Sequence, residues 1–309
     1  MEGKLGLLKI SLDMLLTKSP LPNVMHRHNR RTLQVLAYHG VDDAKHFDLQ
    51  MAYLKTSMHP VSVDDVLESI SFQLELPQHA VLVTFDDGAR SIYDIGLPIL
   101  QKYDIPAVVF VIADLIGTNH PFWWDEVEQL IDGGGWCGEN MELAASELVR
   151  QLKKIDDNQR LATIAELQRT AISSAEPVSQ LRSEELQIME QVGVTIGNHT
   201  LTHPCLNQCT DKKIRHELTI AHDKLTSTLG HPPVAFAYPN GDWDERAERV
   251  LVELGYQAGF LFDHRLSSMP PKHPLRISRV RVDSSTSMER FKLIVSGVHP
   301  AIHHAIGRK

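Results

Sequence analysis

The chain is poor in cysteine, has no excess of positive charge and contains no long apolar run. Each shortage closes off a class of protein. Three cysteines, Cys137, Cys205 and Cys209, are an odd number and build no disulfide framework, which points to a reducing compartment. Cys205 and Cys209 follow His203 closely enough to outline a structural zinc site, yet the second pair of ligands that such sites use at close spacing is missing. A net charge of -8 argues against a nucleic-acid-binding surface. No stretch approaches the roughly 20 apolar residues of a transmembrane helix. The first sixteen residues are broken by Lys9 and Asp13, so they lack the unbroken apolar core of a secretory leader. Leu5, Leu8, Leu12 and Leu15 share one helical face instead, expected to dock onto the domain or to make weak contact with a membrane surface. The expectation is a cytoplasmic protein, with membrane association as its variant.

What is present is a long chain of 309 residues with an alternating pattern. Residues 1–31 read as an amphipathic helix and a polar, proline-marked linker, and 32–309 as the main domain. Short apolar runs at 33–38, 81–85, 107–112, 194–198, 234–238, 257–261 and 279–282 alternate with segments of helical period, among them 62–70, 183–191 and 211–229. Strand-helix alternation implies a parallel sheet with helical crossovers, and about seven strands over this length favour a barrel. The pattern is interrupted from about 119 to 180, which reads as a helical insertion able to overhang one face. Trp123, Trp124 and Trp243 suit either sugar stacking or core packing.

In such barrels chemistry gathers at the C-terminal ends of the strands. Here those ends carry His39, the pair Asp86-Asp87, His199 and Tyr238. Adjacent carboxylates repel unless a metal ion, a shared proton or a division of roles uses them. His199 and His203 lie four residues apart, on one face if the segment is helical, and seventeen histidines in the chain favour metal chemistry. With one strand-end carboxylate they form a two-His, one-carboxylate set that leaves coordination positions open. Zinc is the default for that set, with cobalt, nickel or iron also compatible. Asp87 as ligand leaves Asp86 to act as base on a water whose pKa the ion lowers.

Thr84-Phe85-Asp86-Asp87-Gly88 together with His199-Thr200-Leu201-Thr202-His203 resembles the polysaccharide deacetylase family, carbohydrate esterase family 4, with its nodulation-factor-deacetylase-like domain. Phe236 to Gly241 resembles the third motif of that family, and Tyr38-His39-Gly40-Val41 resembles members whose motif order is shifted. The resemblance runs from about Leu33 to Arg281, outside the insertion. It implies an α/β fold, an irregular (β/α)7 TIM-like barrel, and metal-dependent removal of N-acetyl groups from an amino-sugar polysaccharide or its precursor. Asp86 is then the base, and Asp87, His199 and His203 are the metal ligands. The backbone N–H of Tyr238, followed by Pro239, faces the oxyanion and substrate. Two departures from the family pattern stand out. The arginine that pairs with the base is absent from the third motif, leaving Arg279 or Arg276 to take its place. The late Leu-x-His motif is absent too, leaving His39 as the expected acid.

Two other readings compete. One keeps a metal-dependent amidohydrolase but gives it a small non-glycan amide, and the other is a carbohydrate-binding protein without turnover. The intact base position of Asp86 speaks against the latter. The expected partner is an N-acetylated glycan, in the assembly of an exported polysaccharide.

Overall fold

A computed structural model describes residues 13–138 and 143–305. Its centre is a sheet of strands β1 (Thr32–Tyr38), β2 (His59–Pro60), β3 (Ala80–Phe85), β4 (Ala107–Val111), β5 (Val194–Asn198), β6 (Ala235–Ala237), β7 (Ala258–Phe260), β8 (Ser267–Ser268) and β9 (Val280–Arg281). The main path runs β7-β6-β5-β4-β3-β1 in parallel pairs, with helices as crossovers. The segment entering β9 closes the curl. Ile277 bridges Phe260 of β7 in parallel, and three residues later β9 pairs in parallel with Leu36 and Ala37 of β1. Seven parallel strands thus form an irregular barrel whose seam is only a few residues long. β2 extends β3, and β8 pairs antiparallel with β1.

Burial on both faces explains why the strands read as unbroken apolar runs. Val35, Leu82, Val108, Phe110, Ala237 and Phe260 fill the barrel. Alternate residues Leu36, Val83, Phe85 and Val109 pack outward against helices, for example on Phe47 and Met51 of helix Ala44–Ser57. One inward position has no side chain for a physical reason. A Cβ on Gly197 would lie 2.4 Å from the Phe110 ring, so glycine is what lets that ring fill the interior beside the end of β5.

Local signals account for several helix ends. Ser62 and Asp65 form a reciprocal capping box ahead of helix Val63–Phe72, and Gly230 closes helix Asp211–Leu229 in the left-handed conformation. Helix Ala44–Ser57 starts where Asp43 supplies the cap by accepting from the His46 N–H. One reading changes. Residues 21–28, read as linker, form helix Leu21–His28. Pro20 and Pro22 sit at its start, where a missing N–H costs nothing. Leu5, Leu8 and Leu12 of the predicted amphipathic face lie outside the described residues, while Leu15 is 69% exposed.

The segment between 119 and 180 contains helices Trp123–Asp132, Ala145–Leu152 and Asp157–Thr170. Val127, Leu130, Leu148, Leu152 and Leu167 give it a small core of its own. Its two arms meet where Val178 and Gln180 donate to the carbonyls of Asn119 and Thr118.

Candidate functional site

At the C-terminal end of the strands a pocket of about 250 Å³ is lined by His39, Asp86, Asp87, His199 and His203, with Trp124, Lys153, Asn240, Phe262 and Arg281 completing its wall. A larger cavity of about 470 Å³ opens at the opposite end of the barrel, between Met58, Pro106 and Val192. It gathers no comparable set of reactive side chains.

The β3 ladder continues into the site, with the Asp86 N–H donating to the Tyr38 carbonyl at 2.8 Å. The chain then turns through Asp87 (φ 68°) and Gly88 (φ 78°), which separates the two carboxylates. Both are buried, at 4% and 8% exposure. Asp86 receives a fork from Arg279, Nη1 to Oδ1 at 2.6 Å and Nη2 to Oδ2 at 2.8 Å. Arg279 is wholly buried inside the barrel, where Nη1 also donates to Thr84 and Nε donates to the Leu261 carbonyl. Burial pushes the Asp86 carboxyl up. The Arg279 guanidinium and the neighbouring imidazoles outweigh it and hold the group below its ordinary value, so Asp86 is ionised.

Asp87 faces the other way. Its Oδ1 is 3.4 Å from His199 Nε2 and 3.5 Å from His203 Nε2, and this buried oxygen accepts no hydrogen bond. Among the described residues these are the three that could hold one ion, with one ligand atom from each lying within 4.8 Å of the others. Separations near 3.4 Å match the edge of a tetrahedron, about 3.3 Å, built on metal–nitrogen and metal–oxygen bonds of roughly 2.0–2.1 Å. His199 Nδ1 donates to the Ala237 carbonyl at 2.8 Å, which fixes the ring and turns Nε2 toward Asp87. Burial, reinforced by His199, pushes His203 down to about 3, so its ring is neutral. For Asp87, burial acts upward and the two imidazoles pull it well below the carboxylate range. Carboxylate, neutral imidazole and an orphaned buried oxygen are the donor set a divalent cation fits.

The polysaccharide deacetylase family profile matches residues 73–259, more than half of the chain. The chain belongs to the polysaccharide deacetylase family. A Bacillus subtilis protein described as a polysaccharide deacetylase, YxkH, is 25% identical over 267 residues, covering 84% of this chain and 74% of its own length. The poly-beta-1,6-N-acetyl-D-glucosamine N-deacetylase of Escherichia coli strain K12 is 25% identical over 247 residues, 78% of this chain. This chain spans about a third of that relative, 34% of its length. In fold it is similar to the Streptococcus pyogenes deacetylase PplD, with a TM-score of 0.60 at 20% identity, over 86% of this chain and 98% of that one. IcaB from Ammonifex degensii gives the same TM-score, identity and share of this chain, over 96% of its own.

Within this deacetylase fold several site residues fall differently from the sequence reading. His199 to His203 is not helical. Thr200 and His203 take φ of +70° and +55°, and it is this tight turn that aims both rings at Asp87. The Tyr238 N–H is not available to an oxyanion, because the β6–β7 ladder runs one residue past β6 and the Phe260 carbonyl accepts it at 3.1 Å. Pro239 does not line the pocket. It opens a short turn that brings in Asn240 at φ +56°, whose Nδ2 donates to Cys205 Sγ. Arg276 does not reach Asp86 either. It forks onto Glu248 at 2.7 and 2.8 Å and lies 3.9 Å over the Trp243 ring, leaving the carboxylate to Arg279. Cys205 and Cys209 join no metal-ligand group among the described residues, and burial pushes their thiols up to about 11 and about 12.

His39, at the end of β1, is exposed on the rim, its ring edge-on to Phe262. Trp124 comes from the insertion and packs T-shaped on His203 with centroids 4.8 Å apart. Lys153, Asn240, Phe262 and Arg281 were not singled out from sequence. No strand-end signal marks Lys153, which sits in the inserted segment, and the other three lie in turns or in the seam strand.

Proposed function

We propose that this chain is a hydrolase that removes N-acetyl groups from an amino-sugar polysaccharide or its precursor. The observation that carries the reading is the division of the carboxylate pair, with Asp86 clamped ionised by Arg279 and Asp87 aimed between two imidazoles. Asp87, His199 and His203 would hold a divalent cation, zinc by donor set with cobalt, nickel or iron compatible, which would supply Lewis acidity toward water and the acetamide carbonyl. Asp86 takes the proton from the attacking water. The guanidinium fork makes Asp86 a weaker base but keeps it charged in a buried place, where an unpaired carboxylate would take up a proton. The water oxygen bonds to the carbonyl carbon, and the C–N bond breaks. His39 on the rim gives the departing amine its proton, so acetate and a free amino sugar leave.

The E. coli relative is named for a poly-β-1,6-linked N-acetylglucosamine, which supports an N-acetylated glucosamine oligomer as first substrate. The test is acetate release from such an oligomer, followed by mass spectrometry. With wild type the oligomer is expected to lose acetyl mass, Asp86→Asn is expected to lose about a thousandfold in rate, and chelator-stripped enzyme is expected to recover on adding Zn²⁺. Turnover of a small aryl acetamide but of no oligomer would move the substrate to a non-glycan amide.

A further inference from the structure

The loop carrying His203 adopts a backbone that residues with a Cβ avoid, above all the β-branched Thr200, and such conformations persist only where the surroundings over-determine them. The holders lie behind the loop, away from the pocket. Glu217, fully buried on helix Asp211–Leu229, accepts from the N–H groups of Leu201 and Thr202 at 3.0 and 2.8 Å and from the Thr202 hydroxyl at 2.7 Å. Lys213 pairs with Glu217 at 2.9 Å and stands 3.7 Å from Asp157, a residue of the insertion that is itself buried. Asp157 Oδ1 accepts from Arg160 Nε and Nη2 at 2.9 and 2.6 Å. Arg160, at 2% exposure, lies 4.7 Å over the Trp123 ring, and Trp123 Nε1 donates to the carbonyl of His203 at 3.2 Å.

These contacts return to the loop they started from. Glu217 grips it two residues after His199, and Trp123 grips it at His203. Three of the members come from the insertion, so the insertion does more than wall the pocket with Trp124. We propose that the inserted segment is a buttress of the metal-binding loop, with Trp123, Arg160 and Asp157 as positioning residues that keep His203 in ligating geometry through the loop backbone. The proposal rests on Asp87, His199 and His203 being the metal-holding set.

The test is metal affinity of the full chain, stripped of metal and titrated with Co²⁺ and Zn²⁺ in competition with a chromophoric chelator. Trp123→Phe keeps an aromatic ring at this position and removes the N–H given to His203 along with part of the indole volume, and Arg160→Met removes the fork onto Asp157. Each is expected to weaken metal binding about tenfold, in the range seen when residues behind metal ligands are changed. Each should also alter the Co²⁺ absorption spectrum, a readout that a loss of stability alone does not move. Members of one connected ring do not act independently, so the double variant should lose clearly less than the product of the two single losses. Wild-type affinity in Trp123→Phe, or independent losses in the double variant, overturns the proposal. Trp123→Phe decides by itself if Arg160→Met does not fold. A wild type that binds neither metal overturns the assignment of the three ligands instead, so the two failures are distinguishable.

Discussion

Arg279 is a fully buried cation among apolar side chains, tolerable only because every direction it presents is met by an acceptor or an aromatic face. Asp86 takes the fork, Thr84 and Leu261 supply oxygens, and Phe110 lies 5.4 Å from the guanidinium carbon. Removing one member of such a pair leaves the other charged and uncompensated, at about 3–5 kcal/mol, whereas removing both leaves no buried charge. Arg279→Met should therefore lower stability by that amount in urea unfolding and abolish turnover. The double variant Asp86→Asn/Arg279→Met should regain much of the stability and none of the activity. Equal stability of the single and double variants would show that the ion pair is not what holds the two residues in the barrel. At this scale the acids and the two histidines were legible from sequence because strand ends announce themselves. The choice between Arg279 and Arg276 was not, since three residues along a seam segment decide whether a side chain enters the barrel or meets Glu248.

The elements around the site are tied by charges as well as by apolar packing. Glu185, near the start of helix Ser183–Gln191, is buried, accepts from both Nε and Nη2 of Arg182, and takes Nη1 of Arg90 at 2.7 Å from the segment after β3. Burial pushes its carboxyl up, but Arg182 and Arg90 outweigh burial and leave it below its ordinary value. The folded state therefore favours the ionised form. The stability this contributes is complete above the unfolded carboxyl pKa of about 4.3 and is lost as pH falls through the lower folded value. Wild type should exceed Glu185→Gln in urea midpoint at neutral pH, with the gap narrowing as pH is lowered through 4. A gap independent of pH would assign the effect to shape instead of charge. The His199 to His203 turn teaches a related lesson. A spacing of four suggested a helical face, yet convergence is reached through two positive φ values, because Glu217 and Trp123 supply the bonds a helix would have made internally.

Over the whole molecule the charge is unevenly spread. The first 31 residues carry six Lys and Arg against two acids, whereas the remaining 278 carry 25 against 37. Within that basic segment Leu15 and Val24 are 69% and 59% exposed. No helix among the described residues is long and apolar enough to cross a membrane. Cations beside exposed apolar side chains suit the surface of an anionic bilayer, with an attraction that salt screens. The expected outcome is flotation with vesicles rich in phosphatidylglycerol at low salt, loss of binding at high salt or to phosphatidylcholine alone, and loss on Leu15→Glu/Val24→Glu. Binding unaffected by that double change would place the contact elsewhere.

By itself the sequence determined the alternation of strands and helices and the placing of His39, Asp86, Asp87 and His199 at one end of a parallel barrel. Those features follow from periodicity and from the direction in which parallel strands end, both of which are local. Only the tertiary structure decided which arginine guards Asp86, that the Tyr238 N–H is spent on the β6–β7 ladder, and that the insertion grips the His203 loop. Each of these depends on groups far apart in the chain arriving at one place, and that is set by barrel closure and packing, which no local pattern encodes.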